Sequence, residues 1–349
     1  MTRINVDGTN DAAFNTGGAG FNLPILSVLT RASDNRIWAG GQFTTYNGAT
    51  VPAGIILLNS DGSRNTTIFT PSTGTNLQVN SIGAVPSSSD IIIAGNFTSY
   101  NGTSSIGRIA RISEAGVLNT TFNTNIGTGA NGSILRILVT SAGNIFLVGN
   151  FTQFNGTTVN GIAKLDINGN LDAAFAAQTG SAAGGTPTVR AIVEQSGGSL
   201  IVGGDFTNWN GTAGVNRLVR LNADGSRNGA FTAATNAPVV SLRLVPGSDA
   251  FIAGGTFTSA GTTVALLVTR QSIAAFSANG VLDANFLPNN GFTPSSFVNQ
   301  LAFQSDGKLV VGGSFTAYNG ITRNRIARLC GDLSVAATAQ TATITSVSA

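Results

Sequence analysis

The sequence predicts an all-β chain, a six-bladed β-propeller of antiparallel blades closed by its own N-terminal segment. Three observations predict it: a block that recurs six times, Asp-Gly and Asn-Gly turns after short apolar runs, and two chain ends with complementary blocks. The block first appears as Gly40-Gly41-Gln42-Phe43-Thr44 with Tyr46-Asn47-Gly48. It returns as Gly95-Asn96-Phe97-Thr98 with Tyr100-Asn101-Gly102, and as Gly149-Asn150-Phe151-Thr152 with Phe154-Asn155-Gly156. The fourth is Gly203-Gly204-Asp205-Phe206-Thr207 with Trp209-Asn210-Gly211. The fifth, Gly254-Gly255-Thr256-Phe257-Thr258, keeps only Gly261 of the second part, and the sixth is Gly312-Gly313-Ser314-Phe315-Thr316 with Tyr318-Asn319-Gly320. The central phenylalanines, Phe43, Phe97, Phe151, Phe206, Phe257 and Phe315, lie 51 to 58 residues apart, a period that marks propellers, solenoids or arrays.

Within a period the elements follow in order. In the third repeat Ile134–Val139 reads as one strand, Asn144–Gly149 as the next and Gly161–Leu165 as a third, with the stretch through Phe175 as a short fourth. A second block follows the third strand: Arg220-Leu221-Asn222-Ala223-Asp224-Gly225 leading to Phe231, and Lys164-Leu165-Asp166-Ile167-Asn168-Gly169 leading to Phe175. Its Asp-Gly and Asn-Gly pairs predict type I′ hairpin turns, which need positive φ at both central residues. No stretch has helical periodicity of useful length.

The sixth repeat stops at Arg328-Leu329-Cys330-Gly331 without an Asp-Gly…Phe block, and the chain begins with one, Asp7-Gly8 leading to Phe14. The N-terminal segment is therefore expected to complete the last blade and remove an open sheet edge. Arg3-Ile4 duplicates Arg328-Leu329, so either could supply the strand. The propeller is expected over residues 1–332. The tail, 333–349, is rich in β-branched residues and reads as a docking arm for a partner or as an outermost strand of the sixth blade.

The run Gly-Gly-x-Phe-Thr-x-Tyr-Asn-Gly, then Arg-Ile-Ala-Arg-Leu, then Asp-Gly-Ser before a Phe, resembles the delta-60 repeat, a β-propeller repeat of bacterial surface and phage-encoded proteins. The resemblance covers about residues 2–332 and implies architecture; the family has no catalytic residues to carry over. Repeat five departs from it at Ser259-Ala260-Gly261 and at Arg270-Gln271-Ser272.

Composition narrows the chemistry. The 349 residues hold 45 glycines, 9% charged residues, no histidine and one cysteine, Cys330. Histidine-dependent catalysis, histidine-ligated metals, thiolate zinc and an intrachain disulfide are excluded. The net charge of +3 is spread, with Lys164 and Lys308 the only lysines, which argues against a nucleic-acid partner. No apolar run is long enough for a membrane helix, and the first residues carry no apolar signal core.

Two series stand out as candidate sites. Tyr46, Tyr100, Phe154, Trp209 and Tyr318 precede the Asn-Gly turns; they read as packing over the turn or as a loop aromatic surface for a sugar. Arg3, Arg111, Lys164, Arg220 and Arg328 share one position of the third strand; they read as a cationic ring or as arginines bonded to the neighbouring Asp-Gly loop. Asp166 to Asp172 places oxygens at alternate positions, yet glycine and glutamate do not fall where a calcium loop needs them. Asp11, Asp172 and Asp283 alternate with Asn65, Asn119 and Asn228 before the block phenylalanines, which suits capping better than acid catalysis. No catalytic, cofactor or metal residue is expected. The function expected is a non-enzymatic virion component of a phage, in the tail, a tail fibre or an adaptor, binding other virion proteins, a host glycan or further copies of itself. The alternatives are a bacterial surface or secreted adhesin and a carbohydrate-active enzyme.

Overall fold

A computed structural model describes residues 1–179, 188–286, 291–294, 296–330 and 343–345. The chain is all-β in architecture and falls into two compact units. One comprises Met1–Asn5 with Asn10–Ser181, the other Val6–Thr9 with Ala182–Ala349.

Three antiparallel sheets form the first unit, one per repeat, each with its strands in sequence order. They are Ile25–Thr30, Ile37–Gly41 and Ile55–Leu58; then Val79–Ala84, Ile91–Gly95 and Ile109–Ile112; then Ile134–Val139, Ile145–Gly149 and Ile162–Leu165. The middle strands are buried at every residue, so their runs are apolar throughout instead of alternating. First strands of successive sheets are tied side by side: Ser27 Oγ accepts from Ile82 N–H and Ser81 Oγ from Ile137 N–H, both at 3.1 Å.

The second unit repeats the plan with Val189–Glu194, Leu200–Gly204 and Leu218–Leu221; Val239–Leu244, Phe251–Gly255 and Ile273–Phe276; and Val298–Phe303, Leu309–Gly313 and Ile326–Cys330. Thr343–Thr345 pairs antiparallel on the outside of Ile326–Cys330, with Leu329 opposite Ile344. The rest of the expected tail lies outside the described residues.

All six sheets carry a register shift at the start of the first strand, for example between Val79 and Ser81. The second glycine of the block explains it. A Cβ on Gly149 would collide with the Ser133 carbonyl, so the strands approach closely enough to bulge only without a side chain there.

Two expectations are corrected. Where a fourth strand was read, the chain makes short helices of seven residues, Thr120–Ile126 and Ala173–Thr179. Asn119 Oδ1 accepts from Phe122 N–H at 2.9 Å, and Asp172 Oδ1 from Phe175 N–H at 3.0 Å, so the Asp/Asn position caps a helix. The Asp-Gly turns are not type I′ either. Only the glycine has positive φ (84° at Gly62, 90° at Gly225), and Gly62 N–H donates to Asn59 O. That is a type I turn followed by a left-handed glycine. Asn168-Gly169 behaves the same way, with positive φ only at the glycine (92°), whereas the Asn-Gly pairs of the first block have it at both residues, 50° and 78° at Asn47-Gly48.

Core packing runs between consecutive sheets. Trp38, Ile55 and Leu57 of the first repeat pack with Ile91, Ile93 and Phe97 of the second. Val85, Ile92 and Ile109 of the second pack with Ile145, Leu147 and Phe151 of the third. The six block phenylalanines are all buried.

Candidate functional site

The aromatic series points inward. Exposure is 2% at Tyr46, 1% at Tyr100, 0% at Phe154, 2% at Trp209 and 1% at Tyr318, so no loop aromatic surface is formed and no ring face is open to a sugar. A two-residue strand before four of these Asn-Gly turns, and a single bridge from Tyr100 to Thr103 at the other, folds the ring under the loop, Gln153–Phe154 with Thr157–Thr158 being one example. Tyr46 Oη then donates to Gly62 O at 2.5 Å and Tyr100 Oη to Gly116 O at 2.8 Å, fastening each ring to the turn of its own repeat. Phe21 packs on Phe43 and Tyr46 with centroids at 4.5 Å, and Phe206 on Trp209 at 5.0 Å.

The asparagine of the same turn anchors the incoming chain: Asn47 Oδ1 accepts from Gly20 N–H, Asn101 Oδ1 from Gly74 N–H and Asn319 Oδ1 from Gly291 N–H. A second asparagine series escaped the sequence reading. Asn22 Oδ1 accepts from Thr44 and Thr45 N–H, and its amide donates to Thr44 Oγ1. Asn76, Asn131 and Asn236 repeat this at Thr98, Thr152 and Thr258, and Thr293 stands in at Thr316. An asparagine 21 or 22 residues before four of the six block threonines was the available signal.

The cationic series binds turns. Arg3 donates to Ser60 O at 2.6 Å, Arg111 to Ile167 O at 3.2 Å, Arg220 to Ala278 O at 3.0 Å and Arg328 to Val6 O at 2.7 Å. Each acceptor stands two residues before a turn glycine, so one geometry recurs in both units. Val6 thus lies where, for Arg328, the turn of a following repeat would lie. Arg3 also pairs with Asp11 at 2.7 Å, Arg111 with Asp90 at 2.8 Å and Lys164 with Asp172 at 2.9 Å.

Carboxylates are engaged likewise. Glu114, one of two glutamates, takes Arg31 and Arg36 together. Asp166 accepts from Asn168 N–H, Asn170 N–H and the Asn170 amide, which directs its oxygens into the turn. Among the described residues no group of three His, Cys, Asp or Glu side chains could hold a metal.

These contacts set a pH profile. The hydroxyls of Thr9, Ser63 and Ser226 donate to Asp7, Asp61 and Asp224 and hold those carboxyls below the usual 3.8. Burial pushes the Tyr100 and Tyr318 hydroxyls above the usual 10.0. A lowered carboxyl stabilises the native state above its unfolded value and loses that contribution as pH falls; a raised phenol stabilises below its unfolded value and loses it as pH rises. With no histidine in the chain, thermal melts are expected to be nearly flat from about pH 5 to about pH 9 and to fall on both sides. A transition centred near neutrality would contradict this assignment.

The family model described as "Domain of unknown function (DUF5122) beta-propeller" matches residues 32–67, 89–122, 142–175, 195–231 and 304–335. No curated protein matches the sequence. Among solved structures, the extracellular domain of a protein titled as a one-component system from B. thetaiotaomicron is similar, with a TM-score of 0.49 and 12% identity over 90% of this chain. This chain spans 33% of that chain's length. No helix among the described residues is long and apolar enough to cross a membrane. The matched segments cover the second and third strands in repeats one, two, three, four and six, with the following turn in the first four, and they match as repeats of a β-propeller family.

Proposed function

We propose that the chain is a non-enzymatic β-propeller scaffold working through protein–protein contacts, and that it serves as a phage virion component in a tail, tail fibre or adaptor. The observation that carries the reading is the use made of the recurring residues. The aromatic series is buried, and the asparagine and cationic series bond to backbone of their own or the next repeat, so what differs between repeats is the surface. A fold held by contacts that recur from repeat to repeat and a sparsely charged, glycine-rich β composition suit a rigid assembly part. In this reading the six blades close into one ring, with the N-terminal block between the sixth repeat and the first. The bond from Arg328 to Val6 supports closure because it repeats the bond from Arg111 to Ile167. Mass spectrometry and electron microscopy of purified virions test the proposal. The protein is expected at fixed stoichiometry in an ordered position; absence from virions with recovery on the bacterial surface would favour an adhesin.

A further inference from the structure

Repeats five and six break one rule that the first four keep. Val51, Ile106 and Val159 donate their N–H groups to Thr44 O, Thr98 O and Thr152 O and bury their side chains, and Val215 is buried at the same place in repeat four. Arg270 and Arg323 occupy this position in repeats five and six, donating to Thr258 O and Thr316 O. Both are half-buried, and in both Nε is shielded from solvent without a hydrogen-bond partner. Their remaining bonds go to backbone carbonyls, Thr269 and Ala284 for Arg270 and Thr322 for Arg323. Neither forms an ion pair among the described residues; Asp283 acts on Arg270 from beyond ion-pair distance. Arg325 adds a third cation. Arg108 and Arg217 share its left-handed backbone and donate side-chain N–H groups to the carbonyls of Asn96 and Asp205, whereas Arg325 is exposed and its side chain has no bond among the described residues.

The adjoining excursions differ too. In the first four repeats their tips are Ala, Thr or Ser, but repeat five exposes Val264, Leu266 and Val268 and repeat six exposes Ile321. Leu267–Thr269 is an edge strand of its small sheet. Neither excursion, 259–273 or 317–326, contains an Asp or Glu. The two belong to consecutive sheets of the second unit, tied by Ser272 Oγ donating to Ser296 O at 2.9 Å.

We infer that these two excursions form a docking surface for a protein partner that presents carboxylates beside aliphatic side chains. Aliphatic tips supply apolar contact, and three uncompensated guanidiniums supply the complementary charge, bidentate toward carboxylate. A free anion would not use the aliphatic tips, and a neutral apolar partner would leave the arginines unpaired. This rests on the scaffold reading and specifies its surface.

The test is titration of the full chain with a labelled synthetic peptide alternating Glu with Leu and Val, beside the same peptide with Lys for Glu, and heparin. The Glu peptide is expected to bind with an affinity that falls as salt rises. Arg325→Asn, which tolerates the left-handed backbone, and Leu266→Ser with Ile321→Thr are each expected to weaken it about tenfold, a loss of about 1.4 kcal/mol, with melting unchanged. Arg323→Val restores the residue type of the earlier repeats; it is expected to raise the melting temperature by about 2 °C while weakening the peptide. Equal binding of the Lys peptide, no binding of the Glu peptide, or heparin binding that ignores Leu266→Ser would overturn the inference. So would a fall in melting temperature for Arg323→Val, which would assign that arginine to the fold. Failure of the peptide with the protein still present in virions overturns this surface alone.

Discussion

Phe151→Ala is expected to destabilise the native state by about 3–5 kcal/mol, the range for truncating a buried phenylalanine. Phe151 is 1% exposed and sits among Ile145, Leu147, Ile109 and Phe154, side chains drawn from two consecutive sheets. The strand Ile145–Gly149 is bound on both edges, so the void cannot collapse easily and the loss should fall in the upper part of the range. Chemical denaturation of the wild type and variant measures it. A loss below about 1 kcal/mol would show a site that tolerates the cavity, and the block would then need a purpose other than packing.

Deletion of residues 1–14 is expected to cost about as much or more, because several contacts vanish together. Phe14 is buried in the cluster of Phe43, Tyr46 and Leu58, and its ring lies under the Arg3 guanidinium at 4.9 Å. Arg3 holds Ser60 O, and Asn15 N–H takes Asp61 O just beyond the cut. Arg328 also loses Val6 O while its own Nε is already buried without a partner. Removing a buried aromatic costs about 3–5 kcal/mol, and a buried donor left unpaired adds about 1–3 kcal/mol. Thermal and denaturant melts of the truncated chain check this; an unchanged midpoint would show that the block contributes little to either unit.

The strands were legible because each is a short apolar run punctuated by glycine at a fixed period, as at Ile91–Gly95 and Ile145–Gly149. The helices Thr120–Ile126 and Ala173–Thr179 were not, since seven residues are too few to show a 3.6-residue period; the capping Asn119 and Asp172 were the visible sign. The turn at Asp61-Gly62 was misread because two turn types share the dipeptide and differ only in the φ of Asp61. The aromatic series looked like a surface because it precedes a loop. What buries Tyr100 is the Gly116 carbonyl of a turn sixteen residues downstream, a tertiary fact without a local signal. Arg270 was noticed as a departure, but that its position is a buried valine in other repeats emerged only with the backbone bonds aligned.

On the reading proposed above, the residues that recur from repeat to repeat fasten the fold and present no ligand surface. The chain's two tryptophans, Trp38 and Trp209, report on it, since Trp209 belongs to the aromatic series and both rings are buried. Acrylamide quenching of native tryptophan emission, set against the denatured chain and repeated with a panel of host glycans, is the direct measurement. Emission shielded throughout and unmoved by any glycan is the result predicted. Quenching of about half the emission at the denatured rate, or protection gained on adding a glycan, would place Trp209 at an open binding face and contradict the account.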